Sequence, residues 1–326
     1  MTRRISGFTP SGVLHLGNYL GAIRPIVDGT PHTDTVVFIS DLHALTLDHD
    51  PAQVRERTLE FATLLLAAGA DPDRHLFLVQ SHVPEHAELH YLLECTTGYG
   101  EAQRMIQFKE KSGRQQQIRM SLLTYPILMA ADILLYDADE VPVGDDQSQH
   151  VELARDVAYR FNTRYGQTFT VPRAVHPPVG ARIMDLTAPT TKMSKSASSV
   201  AGSLRLADEP DVLRRKVMRA VTDAGTEVGY DPARHPGVAN LLDILAACTG
   251  DDPATLAAGF HSYGQLKGAV ADAVVETLAP LRKRYRELSE DPGHVRDVLR
   301  AGAARAREIA RRKVRAAKQA IGLLPE

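Results

Sequence analysis

Cysteine is nearly absent from these 326 residues: Cys95 and Cys248 stand alone, with no paired-cysteine spacing. A zinc module or a disulfide framework is thereby excluded, and a reducing compartment is expected. No apolar run is long enough to span a bilayer and no N-terminal stretch reads as a targeting signal, so a cytoplasmic location without a membrane partner is expected. Excess charge is missing as well, the formal net charge being −2. That rules out a uniformly basic nucleic-acid coat and leaves any RNA partner to a local patch. Long internal repeats and low-complexity tracts are also lacking. What is present, 44% hydrophobic and 24% charged residues, is ordinary globular composition on a chain long enough for one large or two medium domains.

Thr2 to Phe8 has the pattern of a strand entering the Pro10–Gly12 turn, after which Leu16, Leu20, Ile23 and Val27 recur at helical spacing. Val36–Ser40 and Leu76–Gln80 are continuous apolar runs of the kind buried on both faces of a parallel sheet. Between them Pro51–Ala68 reads as a helix, with proline at its start and Gly69 where it would stop. Helical periodicity returns over 84–97, 122–136 and 147–162, with a short strand at 140–143 between the last two. The order predicts an α/β fold: a doubly wound, Rossmann-like parallel sheet over 1–205. From Pro210 onward only helical spacing remains, which predicts a helical domain over 206–326, its last helix returning to complete the first domain. The stretch Arg282–Lys318 holds 13 Lys and Arg against 5 Asp and Glu, a basic excess that can face a phosphate backbone or simply coat a solvated helix.

Two short motifs, far apart, read together as an ATP site. In Pro10–Asn18, His15 can donate to a phosphate oxygen, Gly17 permits close approach, and Asn18 can donate to an oxyanion, all where a strand gives way to a helix N-terminus. In Lys192-Met193-Ser194-Lys195-Ser196, two ammonium groups three residues apart share a hydroxyl-rich loop that can neutralise a triphosphate as pyrophosphate leaves. Lys111, in the charged loop 108–113, is a weaker candidate for the same phosphates.

Leu122–Tyr136 is apolar almost throughout, with Asp132 its only charged residue. Tyr125, Met129, Asp132 and Tyr136 share a helical face. A buried carboxylate there needs a donor, from the protein or from a flat aromatic ligand such as an indole N–H or a phenol O–H. Gly144-Asp145-Asp146-Gln147 follows a strand end, where open α/β sheets bind ligands; an N-cap role for either aspartate is the structural alternative. His43, just past another strand end, can line the same crevice.

These segments resemble the bacterial tryptophanyl-tRNA synthetases, a dimeric class I aminoacyl-tRNA synthetase family, essentially from end to end. Thr124–Pro126, Met129–Tyr136, Val141–Gln147, Gly180–Met184 and Val221–Asp223 carry the resemblance alongside the two motifs. It implies that ATP, as its Mg2+ complex and without a tightly bound protein metal, is held by Thr9, Pro10, Ser11, Gly17, Asn18, Gly144, Asp145, Asp146, Ile183, Lys192, Met193, Ser194, Lys195 and Ser196. It implies catalytic roles for His15, Asn18, Lys111, Lys192 and Lys195. Asp132 would accept the indole N–H of L-tryptophan, Tyr125 and Gln147 would hold the α-ammonium group, and Gly7, His43, Met129, Val141 and Val143 would wall the indole. The same resemblance implies a homodimer and a helical C-terminal domain that binds the anticodon of tRNA(Trp). A tyrosyl-tRNA synthetase and a small-molecule adenylyltransferase are the rival readings. Thr9 and Ile5 stand where the family commonly has Gln and Phe, which points to an isoform with altered sensitivity to tryptophan-mimicking inhibitors. The chain contains no tryptophan, so its own synthesis would not stall for want of that residue.

Overall fold

Parallel strands buried on both faces organise the first half of the chain. A computed structural model describes all residues except 1, 30–32, 107, 109–117, 145–146, 177–182, 195–198, 224, 226 and 325–326. Strands β1 (Thr2–Phe8), β2 (Thr33–Ile39), β3 (His75–Val79), β4 (Glu140–Pro142) and β5 (Arg173–Val175) form one parallel sheet in the order β3-β2-β1-β4-β5. Val37 and Ile39 of β2 point into one core with Phe8, Phe77 and Val79, while Val36 and Phe38 point into the other with Ile5, Leu76 and Leu78. This two-sided burial is why the strands read as unbroken apolar runs.

The helix expected after the Pro10–Gly12 turn forms as consecutive segments Leu16–Asn18, Tyr19–Ile23 and Arg24–Asp28, the middle one a π-helical turn. That wide turn ends at Ile23, two residues before Pro25, which has no N–H with which to continue an i→i−4 ladder. Helix α1 (Pro51–Ala67) starts where Asp50 Oδ1 accepts the N–H of Ala52 at 2.7 Å, and it stops before Gly69, whose φ of +109° few other residues adopt. Helices α2 (Glu85–Glu94), α3 (Tyr99–Arg104), α4 (Met120–Leu134) and α5 (Ser148–Tyr165) follow; α2, α4 and α5 supply the core on the Phe38 side of the sheet.

Beyond residue 210 the chain is helical, as its periodicity predicts: α6 (Pro210–Met218), α7 (Pro236–Thr249), α8 (Pro253–Ala257), α9 (Tyr263–Glu290) and α10 (Pro292–Ala320). The apolar faces of α6, α7 and α9 join the same core as Phe8, Val37 and Phe77, so the helical part is seated on one face of the sheet. Helix α10 is about 44 Å long at 1.5 Å per residue. It runs against the edge strand β3 so closely that a Cβ on Gly302 would lie 1.7 Å from the Phe77 carbonyl oxygen. Ala303, Ala306, Ala310 and Ala317 keep the contact narrow along the remaining turns. The outer edge of the sheet is thereby covered rather than left open for pairing.

Seating α10 uses part of the basic excess counted in the sequence. Arg307 Nε donates to the His82 carbonyl at 2.9 Å, Arg311 pairs with Glu85 at 3.1 Å, and Lys313 Nζ reaches Asp137 at 2.6 Å and the Thr168 carbonyl at 2.9 Å. Lys318 pairs with Glu88. Arg282 is buried and donates to the carbonyls of Asp208 and Val275.

Candidate active site

Strand β1 lies between β2 and β4, so its carboxyl end is the point where the strand order reverses and where open parallel sheets offer a crevice. The turn after β1, the turn after β2 and the end of β4 converge there. Thr9 Oγ1 and Ser40 Oγ, at the ends of β1 and β2, are 2.9 Å apart. Ile5 is buried within β1, on the Phe38 side.

Asp132 is the centre of the site. Its side chain is only 2% exposed on α4, yet it is met by donors from several elements. Gln80 Nε2, at the end of β3, donates to Oδ1 at 2.7 Å; His86 Nδ1, on α2, donates to Oδ1 at 2.6 Å; His43 Nε2 donates to Oδ2 at 2.8 Å. The Gln80 amide is itself aimed by the Leu42 N–H, which its Oε1 accepts at 3.1 Å. Tyr136 completes the chain. Burial pushes its phenol far above the ordinary value, with the negative charges of Asp132 and Glu85 adding to the effect, so its O–H stays on and donates to His86 Nε2 at 2.8 Å. This fixes the His86 proton on Nδ1 and directs it at the carboxylate. An ionised carboxylate has about four acceptor directions. Among the described residues Oδ2 accepts only from His43, the less buried of the two histidines, so the remaining direction is there.

Aromatic rings stand beside Asp132. Tyr125 meets the His43 ring edge-on at 6.2 Å, and its hydroxyl lies 3.0 Å from His150 Nε2. Met129 packs against the same core as Val141 and Val143. Gly7 pairs with Phe38 across β1 and β2, and a Cβ on it would come within 2.6 Å of the Phe38 ring, so its lack of a side chain makes room for that ring. The Gln147 N–H bonds to the Gly144 carbonyl at 2.9 Å.

The two sequence motifs meet on the other side of the crevice. His15 is buried; the Asn18 Oδ1 accepts the His15 N–H at 3.2 Å, so any donation from Asn18 to a ligand falls to Nδ2. A Cβ on Gly17 would lie 3.2 Å from the His15 ring and 3.6 Å from Ile183. Ile183 in turn accepts the Met193 N–H at 3.1 Å, next to a Met184–Lys192 bridge. Met193 is buried as an anchor and Lys192 is exposed. Pro10 and Ser11 occupy the turn, the Ser11 N–H bonding to the Thr9 carbonyl at 2.8 Å. Lys111, Asp145, Asp146, Lys195 and Ser196 lie outside the described residues.

From the sequence, Gln80, His86 and His43 are not assignable as donors to Asp132, nor Tyr136 as the group behind His86. The need for a donor was readable there; the donors were not, because Gln80 and His86 are 52 and 46 residues distant along the chain.

Residues 2–279 match the family model described as class I tRNA synthetases (W and Y). A curated relative, tryptophan–tRNA ligase 1 of Streptomyces coelicolor, is 58% identical over 100% of this chain and 98% of its own. The crystal structure of tryptophanyl-tRNA synthetase from Mycoplasma pneumoniae superposes with a TM-score of 0.89 at 35% identity, covering 99% of this chain and 98% of that one. That of the Campylobacter jejuni enzyme complexed with ADP and tryptophan gives 0.86 at 34%, covering 99% and 100%.

The Asp132 network sets a pH dependence. Burial alone would raise this carboxyl, but the hydrogen bonds from His43 and His86 together reverse the effect and hold it at about 2, below the ordinary 3.8. The native state therefore binds fewer protons here than the unfolded chain does. The stabilisation is complete above about pH 5 and is lost as the pH falls towards 2, and its size is about 2 kcal/mol. His86→Phe removes one donor and is expected to flatten the wild-type fall in unfolding free energy between about pH 5 and 2, measured by urea denaturation. An identical pH profile in the variant would remove His86 from the network.

Proposed function

Because the chain belongs to the class I tRNA synthetases of the tryptophan and tyrosine type, we propose that it is an ATP-dependent ligase that charges tRNA(Trp) with L-tryptophan. The tryptophan carboxylate attacks the α-phosphate of the ATP–Mg2+ complex, pyrophosphate leaves, and the enzyme-held adenylate passes its acyl group to the 3′-terminal adenosine of the tRNA as AMP departs. Similarity over the whole chain supports the reaction. The observation that carries the choice of amino acid is Asp132: an acceptor-only group kept ionised inside an apolar helix, with one acceptor direction on Oδ2 unfilled among the described residues. An indole N–H fills that direction, Gly7, His43, Met129, Val141 and Val143 wall the ring, and Tyr125 and Gln147 hold the α-ammonium group.

No side-chain nucleophile is needed, since positioning and charge stabilisation suffice for nucleotidyl transfer. His15, Gly17 and Asn18 receive the nucleotide; Lys192 and Lys195 neutralise the departing pyrophosphate, with Lys111 a further cation for it. The magnesium ion arrives with the triphosphate as part of the substrate. The helices from residue 206 onward bind the tRNA, and the enzyme works in the cytoplasm with its substrates. Among the described residues no helix is long and apolar enough to cross a membrane.

Pyrophosphate exchange into ATP is expected with tryptophan and not with tyrosine or without amino acid; equal exchange with tyrosine would hand the site to a phenol O–H. Lys195→Ala is expected to slow adenylate formation by a factor on the order of 10²–10³ with tryptophan affinity nearly intact. Asp132→Asn is expected to lower tryptophan activation sharply, and unchanged activation kinetics would place the indole partner elsewhere.

A homodimer is part of the proposal. Tyr91, Tyr99, Met120 and Tyr159 are all more than half exposed, on α2, α3, α4 and α5, which pack about α4. Large exposed apolar side chains gathered in this way suit a subunit interface. Sedimentation at low concentration is expected to give a dimer mass, and a monomer at every concentration would refute it. At Thr9, whose hydroxyl is engaged with Ser40, altered response to tryptophan-mimicking inhibitors is tested by Thr9→Gln; equal inhibition constants would sink that part.

A further inference from the structure

A cavity of about 780 Å³, lined by no residue of the two nucleotide motifs, opens at the carboxyl end of the edge strand β3, between α1 and the first half of α10. Its floor is aliphatic: Val54 and Leu59 from α1, Val79 from β3, and Leu299 and Ala303 from α10. Its rim is cationic, with Arg55 from α1 facing Arg296, Arg300 and Arg307 from α10. The three α10 arginines stand at i, i+4 and i+11, which puts them on one side of the helix.

These guanidinium groups are largely uncommitted. Among the described residues, Arg55 and Arg296 have no carboxylate partner. Arg300 meets Asp297 at 2.6 Å in an exposed pair, and Arg307 uses Nε on the His82 carbonyl, which leaves its terminal nitrogens. The carboxylate in the wall, Asp41, is occupied: the Ser81 N–H donates to it at 2.9 Å and the Ser81 hydroxyl at 2.5 Å.

An aliphatic floor beneath two unpaired guanidinium groups and two with donors to spare selects a ligand with an uncharged body and a multiply charged head. A bare inorganic anion would leave the floor in water, and a carboxylate on an alkyl chain would use one arginine of four. A phosphate ester presents acceptor oxygens that fit the arginine fork. The volume lies within the range typical of small-molecule pockets, about 300–1,000 Å³.

We propose that this cavity binds a nucleoside phosphate, with base and ribose on the aliphatic floor and the phosphate on the arginine rim. The chemistry is shared by a free nucleotide and by one nucleotide unit of an RNA strand. It is separate from the crevice: none of Thr9–Asn18 or Ile183–Ser194 lines it.

The test uses the full chain with its crevice filled by one equivalent of a sulfamoyl analogue of tryptophanyl adenylate, which carries no phosphate, titrated with guanosine monophosphate by calorimetry. One equivalent per chain is expected, weakened at least tenfold by the double variant Arg55→Ala/Arg296→Ala. Tryptophan-dependent pyrophosphate exchange, which involves no RNA, is expected to be unchanged in that variant; its absence from the wild type would overturn the proposed reaction without touching this site. If guanosine monophosphate does not bind, a lower tRNA affinity and a shallower salt dependence in the double variant assign the nucleotide to the RNA strand. Binding of guanosine monophosphate that ignores both substitutions, or no binding together with unchanged tRNA affinity, overturns the proposal.

Discussion

An ionised carboxylate buried in an apolar helix is the constraint around which the first half of this molecule is arranged. Removing such a charge from water is expensive unless hydrogen bonds replace the lost solvent. Asp132 obtains them from Gln80 at the end of β3, His86 on α2 and His43 after β2, so separate sheet and helix elements must arrive in register before the charge is tolerated. Tyr136 then fixes the His86 tautomer. The consequence for recognition is that the carboxylate is both always charged and nearly saturated. A ligand is offered one acceptor direction, so it must bring its donor to that place.

The fold was legible where burial is two-sided or where a helix boundary carries its own chemistry. Strands β1 to β4 were readable because the sheet buries both faces of Val36–Ile39 and Leu76–Val79, and α1 because Asp50-Pro51 and Gly69 mark its ends. Strand β5 was not, since Arg173-Ala174-Val175 is too short and too mixed to show a period. The π-helical turn was missed as well: apolar spacing cannot distinguish it from a regular helical turn, and only Pro25 hinted at it. The site divides in the same way. Local motifs such as Pro10–Asn18 could be seen in the sequence, and so could the need of Asp132 for a donor. The identity of that donor depends on long-range packing.

Charge counting shows a similar limit. The basic excess of Arg282–Lys318 was open to two readings, an RNA-facing patch or a solvated helix face. Neither covers what Arg307, Arg311 and Lys313 do, which is to bind carbonyls and carboxylates of the sheet domain and so hold α10 in place. Arg296, which has no carboxylate partner among the described residues, sits where a cavity opens between α1 and the first half of α10. A run of cations on one helix can therefore serve docking along part of its length and recognition along the rest.

The lysine segment and the helical part are mechanically one piece. Asn240, buried on α7, clamps residue 184 from both sides: its Oδ1 accepts the Met184 N–H at 2.8 Å and its Nδ2 donates to the Met184 carbonyl at 3.0 Å. Asp185 then closes the base of the segment. Its Oδ1 accepts from Thr187 and Ala188, and a Cβ on Gly202 would lie 1.9 Å from it, so the two ends of 185–202 meet only because residue 202 is glycine. Further on, Leu204–Leu206 pairs with Leu14–Leu16, tying the same stretch to the first motif. A displacement of α7 would thus be transmitted through Asn240 to Ile183 and Met193, and through Leu204 to His15. Helices proposed to hold tRNA and residues proposed to hold ATP are joined by hydrogen bonds rather than by a free linker.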